Sequence, residues 1–129
     1  MSGPRILVVD DNLATRALTT FVLDAAGLEV ASAVDADTAT SQVAGFAPDL
    51  ILMDIQLPGL DGLQLACRFK ADPATRHIVI IAFTAFAMKG DAAKMLAAGC
   101  DGYIAKPFDV VTFAATVRSH LPAGRGRSA

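Results

Sequence analysis

The sequence predicts an α/β protein, a three-layer α/β/α sandwich assembled from five β-α units. Three observations predict it. Five short apolar runs alternate with segments of helical period. The runs lack the polar/apolar alternation of a half-exposed strand, as strands of a parallel sheet buried beneath helices do. Glycine or proline stands just past the helical segments, where a helix is stopped. Consecutive parallel strands need right-handed crossovers, so helices cover both faces of one doubly wound sheet. With 129 residues, 53% of them hydrophobic and 19% charged, the chain can bury one good core and is short for two ordinary domains.

The predicted strands, in order, are "RILVV" (5–9), "LEVAS" (28–32), "LILM" (50–53), "IVIIAF" (78–83) and "GYIA" (102–105). Between the first two, Leu18, Phe21, Val22 and Ala25 recur at i, i+3, i+4 and i+7, which predicts a helix with those residues on its core face. Met88, Ala92, Met95 and Leu96 repeat much the same spacing before the fifth strand. Gly27, Gly45 and Gly99 follow helical segments where a left-handed residue is wanted, and a final helix over about 109–120 is followed by Pro122. Residues 1–121 therefore read as one domain, and "PAGRGRSA" (122–129) as a disordered basic tail.

Composition excludes several function classes. A formal net charge of −2 offers no broad basic face to nucleic-acid phosphates, so direct DNA binding is not expected. The longest apolar candidate for a membrane span, "IVIIAFTAFAM" (78–88), falls well short of the roughly 20 residues required. The N-terminus "MSGPRILVVDDN" lacks a signal peptide, its apolar part ending at two acids. A cytoplasmic protein is the expectation. Cys67 and Cys100 are far apart without CxxC spacing and read as reduced packing residues; His77 and His120 are isolated, so neither pair suggests a metal site.

Polar residues at the C-terminal ends of the strands carry the functional signal. Asp10 and Asp11 follow the first strand, Asp54 the third, Thr84 the fourth, and Lys106-Pro107 the fifth. In an open parallel sheet those ends share one edge, outside which ligands bind. Each residue alone has a plain structural role: Asp11 or Asn12 can cap the first helix, Asp54 can brace a turn, Thr84 suits a strand, and Lys106 can be a solvated end residue. Together they ask for more, because three carboxylates crowded into one cleft repel one another. A hard cation of the magnesium type answers that need, since it takes oxygen ligands and usually only one or two carboxylates plus a phosphate.

"VVDDN" after the first strand, "ILMDIQLPGLDG" around the third, "FTA" after the fourth and "YIAKPF" after the fifth resemble the receiver domain of bacterial two-component response regulators, the CheY-like group. The resemblance runs from about Arg5 to Leu121. "MDIQLP", "TAFAMKGD" and "GCDGYIAKP" look most like a stand-alone, single-domain member, although similar segments occur in receivers attached to hybrid histidine kinases. The resemblance implies a flavodoxin-like sheet of strand order 2-1-3-4-5. It also implies roles. Asp54 would be the phosphoacceptor, taking the phosphoryl group of a partner's phosphohistidine. Asp11 and Asp54 would bind Mg²⁺ through carboxylates and Gln56 through its backbone carbonyl, with Asp10 acting largely through water. Thr84 and Lys106 would hold the phosphoryl oxygens, and Lys106-Pro107 would carry a cis peptide, affordable only before proline. Tyr103 has two readings: a half-buried strand tyrosine, or the aromatic that fills the space Thr84 vacates and so alters the face of the fourth helix, fifth strand and fifth helix. Gln56 and Phe86 would flank the path of the hydrolytic water; Phe86 has two readings, an apolar ring that slows hydrolysis because it cannot orient a water, or a residue that merely packs on the first turn of the fourth helix.

Rival classes fit less well. A haloacid-dehalogenase-type hydrolase carries its nucleophile after the first strand in a D-x-D pattern, which "VVDDN" does not provide. A flavodoxin-type FMN carrier cradles phosphate with hydroxyls and amides in the first loop, where Asp10 and Asp11 would repel it. A receiver-like scaffold without phosphorylation would be expected to lack a pocket residue. The reading is therefore of a protein that catalyses only its own phosphorylation and slow dephosphorylation. With no output domain after the receiver, it would receive its signal from a histidine kinase or phosphotransfer protein and pass it on by contact with a downstream target. The alternatives are a receiver derived from a hybrid histidine kinase, or a phosphate sink in a phosphorelay.

Overall fold

A computed structural model describes residues 4–55, 62–84, 91–105 and 109–121. Strands and helices alternate strictly: β1 (Arg5–Val9), α1 (Leu13–Ala25), β2 (Glu29–Ala33), α2 (Ala36–Phe46), β3 (Leu50–Met53), α3 (Gly62–Ala71), β4 (Val79–Thr84), α4 (Asp91–Ala97), β5 (Gly102–Ala105) and α5 (Val110–Ser119). All four strand pairings are parallel and the order is β2-β1-β3-β4-β5. The predicted fold and strand order are thus observed.

The unbroken apolar runs resolve into two sets once the pleat is considered, since successive side chains in a strand point to opposite faces. Leu7, Val9, Ile51, Met53, Ile80 and Ala82 pack with Ala39, Val43, Leu65, Phe69 and Met95 from α2, α3 and α4. Ile6, Val8, Leu50, Leu52, Ile81 and Phe83 pack with Val22, Leu23, Phe113 and Val117 from α1 and α5. Burial on both faces explains why Leu50–Met53 has no polar residue.

Helix ends follow their local chemistry. Asn12 caps α1, its side-chain oxygen accepting the Thr15 N–H at 2.9 Å. Asp35 caps α2 through the Thr38 N–H at 2.8 Å, and the hydrogen bonds from Thr38 hold its carboxyl below the ordinary value. Gly27 and Gly99 have φ of 89° and 102°, the left-handed conformation predicted for them. Gly45 does not. It lies inside α2, and the left-handed residue is Ala47, with φ 53°.

Two further expectations need correction. On α1 only Val22 of the four predicted core residues is buried; Leu18 is 46% exposed, Phe21 70% exposed, and Ala25 also faces solvent. The core face is instead Thr19, Val22 and Leu23. Cys100 is buried, as expected of a packing residue, and that burial pushes its thiol up to about 11, but Cys67 is exposed rather than part of the core. Of the second predicted helix stripe, Met95 is buried and Leu96 exposed, while Met88 lies outside the described residues. Pro122 and the tail over 122–129 also lie outside them. No helix among the described residues is long and apolar enough to cross a membrane.

Candidate functional site: an acidic cluster at the sheet edge

Two adjacent strand ends build the site. Parallel register pairs Val9 with Met53, so the residues that follow, Asp10 and Asp54, leave the sheet side by side. The Asp54 N–H donates to the Val9 carbonyl at 2.8 Å, and the Asp10 N–H donates to the Ala33 carbonyl of β2 at 3.0 Å. Asp10 Oδ1 accepts the Asn12 N–H at 2.9 Å, turning the chain into α1 and leaving Asp11 exposed. Since Asn12 is the cap, Asp11 is released from that role.

The carboxylates of Asp10, Asp11 and Asp54 each place an oxygen so that all three lie within 4.8 Å of one another. Asp10 is fully buried and Asp54 is 7% exposed. Two unit negative charges at such a separation repel by about 3–4 kcal/mol at an effective dielectric near 20. A buried carboxylate pair of this kind is favourable only when cations or hydrogen bonds compensate it. Three hard oxygen donors brought together at one sheet edge suit Mg²⁺, which takes oxygen ligands and commonly completes its shell with water and phosphate oxygens.

Thr84 ends β4, its backbone paired with Ala105 at the end of β5, so both strands finish on the same edge as Asp10 and Asp54. Tyr103 lies on β5 and is 44% exposed. Gln56, Phe86, Lys106 and Pro107 lie outside the described residues.

Two contributors escaped the sequence reading. Gly62, the first residue of α3, donates its N–H to the Ile55 carbonyl at 3.0 Å, and a Cβ there would sit 2.2 Å from the Asp54 carbonyl oxygen and 2.7 Å from the Ile55 Cα. Only glycine lets α3 return so close to the phosphoacceptor candidate. The Asp61-Gly62 pair at a helix start was the available signal. Arg16 donates from Nη1 to the Asp10 carbonyl at 2.8 Å; nothing in the local pattern distinguishes it from a solvated helix residue. A groove of about 430 Å³ at the opposite end of the sheet, lined by Val43, Pro48, Phe69 and Ile78 among others, includes none of the acidic residues and plays no part in this chemistry.

Residues 6–118 match the response regulator receiver domain. The chain belongs to that family. The polar-differentiation response regulator DivK of Brucella anthropi is 40% identical over 116 residues, which is 90% of this chain and 94% of that protein. The signal receiver domain of a signal transduction histidine kinase from Syntrophus aciditrophicus superposes with a TM-score of 0.84 at 28% identity, over 98% of this chain and 94% of that one. Chemotaxis protein CheY4 of Vibrio cholerae shares the fold, with a TM-score of 0.87 at 24% identity over 93% of this chain and all of that one. The acidic cluster of this receiver domain thus stands at the edge where the sequence motifs predicted it.

Proposed function

We propose that Asp54 accepts a phosphoryl group from a phosphohistidine on a histidine kinase or phosphotransfer protein, with residues 1–121 forming the receiver unit. The observation that carries this reading is the nearly buried Asp54 carboxylate at the end of β3, within 4.8 Å of the Asp10 and Asp11 oxygens. A carboxylate oxygen of Asp54 attacks phosphorus; a P–O bond forms, the P–N bond breaks, and its electron pair returns to the histidine nitrogen. Phosphoryl transfer places charge on the equatorial oxygens, so catalysis is mostly positioning and cationic stabilisation. Mg²⁺, held by Asp11 and Asp54 and the Gln56 carbonyl with Asp10 behind, would neutralise that charge. Lys106 and the Thr84 hydroxyl would hold the phosphoryl oxygens, and Lys106-Pro107 would carry the cis peptide that the receiver family's motif implies.

The acyl phosphate carries more charge and more acceptor oxygens than the carboxylate it replaces, which draws Thr84 inward. Tyr103 then moves into the space released, and the face of α4, β5 and α5 presents a different surface to a downstream protein in the cytoplasm. The exposure of Tyr103 supports this, because its ring is not locked in the core. The similarity to a histidine kinase's receiver favours, as a second reading, the same chemistry within a hybrid kinase or as a phosphate sink.

Acetyl phosphate with Mg²⁺ is expected to add one base-labile phosphoryl group, seen by intact-mass measurement, and Asp54→Asn to abolish it. Undiminished labelling of that variant would assign the acceptor elsewhere. Gln56 and Phe86 are proposed to set the lifetime of the acyl phosphate. Phe86→Glu should hasten release of inorganic phosphate after the donor is removed, by giving a water an acceptor to orient it; an equal or slower release would take Phe86 off the water path.

A further inference from the structure

We propose that Arg16 is a positioning residue for the acidic cluster, holding the main chain of Asp10 so that its carboxylate faces the cation. The inference rests on the reading of Asp10, Asp11 and Asp54 as a Mg²⁺ site. Asp10 is fully buried, so its carbonyl sits where bulk water does not compete, and the Arg16 guanidinium reaches it at 2.8 Å. A charged donor to a buried acceptor is among the stronger protein hydrogen bonds. The residue itself is fixed on either side of that contact: the Asp10 N–H by the Ala33 carbonyl, the Asp10 carboxylate by the Asn12 N–H at 2.9 Å, and Arg16 by its own N–H to the Asn12 carbonyl at 3.0 Å. Arg16 therefore closes a loop of bonds between the end of β1 and the first turn of α1. Loss of the Arg16 bond removes one of the contacts that fix Asp10, so its backbone can shift at the end of β1 and move the carboxylate it carries relative to Asp11 and Asp54.

Arg16 also brings a positive charge to the neighbourhood, and that effect has the opposite sign. Charge alone would make Arg16 oppose a dication, so its removal would tighten Mg²⁺ binding; positioning makes its removal weaken binding. Positioning wins because Arg16 is only part-buried, beside a shallow depression formed with Leu13, Ala17, Phe21 and Ser32, where solvent screens its charge. The carbonyl bond lies on the buried side.

The test is calorimetric titration of MgCl₂ into the unphosphorylated full chain, for the parent, Arg16→Met and Arg16→Lys, with circular dichroism to establish that each is folded. Partners that orient metal ligands typically change affinity 10–100-fold when removed; acting through the main chain, Arg16→Met should weaken Mg²⁺ binding roughly tenfold. Arg16→Lys, which keeps a donor, should recover part or all of the loss. The amide resonance of Asn12, which reports the Asp10 carboxylate, should shift in metal-free Arg16→Met. Equal or tighter binding by folded Arg16→Met would overturn the proposal, as would an unmoved Asn12 amide. Failure of the parent to bind Mg²⁺ would instead sink the metal reading, and the Asn12 resonance would still decide whether Arg16 positions Asp10.

Discussion

Asp54 owes its place as much to Gly62 as to its own strand. A methyl group on Gly62 would lie 2.2 Å from the Asp54 carbonyl oxygen and 3.0 Å from its carbonyl carbon. These are backbone atoms, so the contact cannot be relieved by turning a side chain. Gly62→Ala must push α3 away or displace the exit of β3, and overpacking of this kind costs about 1–3 kcal/mol or more. The effect on chemistry should exceed the effect on stability, because a misplacement of about 1 Å at a reacting group can cost on the order of 10²-fold in rate. Thermal melting and labelling by acetyl phosphate would show both; a variant with parental melting and parental labelling would mean that the approach of α3 does not position Asp54. The three acids of the cluster, Asp10, Asp11 and Asp54, were legible in the sequence because each follows an apolar run at a strand end. Gly62 and Arg16 were not, because their contacts are with main-chain atoms brought close only by folding.

At the scale of elements, the strands were the most legible. β1, β3 and β5 fall where the apolar runs stand, and β2 and β4 are displaced by one residue. Helix existence was equally plain, but helix facing was not. On α1 the apolar residues are too many for one stripe, and the i, i+3, i+4, i+7 set that includes Phe21 is rotated from the one that packs. What decides is the position of α5: Phe113 and Val117 share a cluster with Val22 and Leu23, and the Arg118 guanidinium reaches the Ala26 carbonyl at the end of α1. A helix next to another helix and a sheet buries the face that the pair dictates, which one helix's sequence does not contain. Two substitutions separate the faces. Leu23→Ala, at a fully buried site, should cost about 2–5 kcal/mol. Phe21→Ser, at a ring 70% exposed, should change stability by no more than about 0.5 kcal/mol. Denaturant unfolding measures both, and the reverse order would restore the face predicted from periodicity.

For the whole molecule, the fold concentrates three carboxylates at one edge of an otherwise apolar sheet, where a bound cation would offset their mutual repulsion. Two packed layers of helices fix where β1 and β3 end, so Asp10 and Asp54 cannot separate without disturbing the fully buried side chains of Ile6–Val9 and Leu50–Met53. The repulsion between Asp54 and the Asp10-Asp11 pair is therefore borne by the folded state and is relieved in the unfolded chain, where Asp54 is far in sequence from the two neighbouring acids and all three are solvated. A ligand bound only to the folded state adds RT ln(1 + [L]/Kd), about 2.7 kcal/mol at a hundred times Kd. Mg²⁺ should accordingly raise the melting temperature of the parent. Asp11→Ala should remove most of that increase, and in metal-free buffer it should melt higher than the parent, because it deletes one of three mutually repelling carboxylates. The sign is sharp here because α1 takes its cap from Asn12, whose Oδ1 accepts the Thr15 N–H, so no cap is lost with Asp11. Melting curves of both proteins in chelator and in excess Mg²⁺ give the four temperatures needed. A metal-free Asp11→Ala that melts below the parent would mean that Asp11 stabilises the fold by a contact of its own, and that the cluster does not strain the native state.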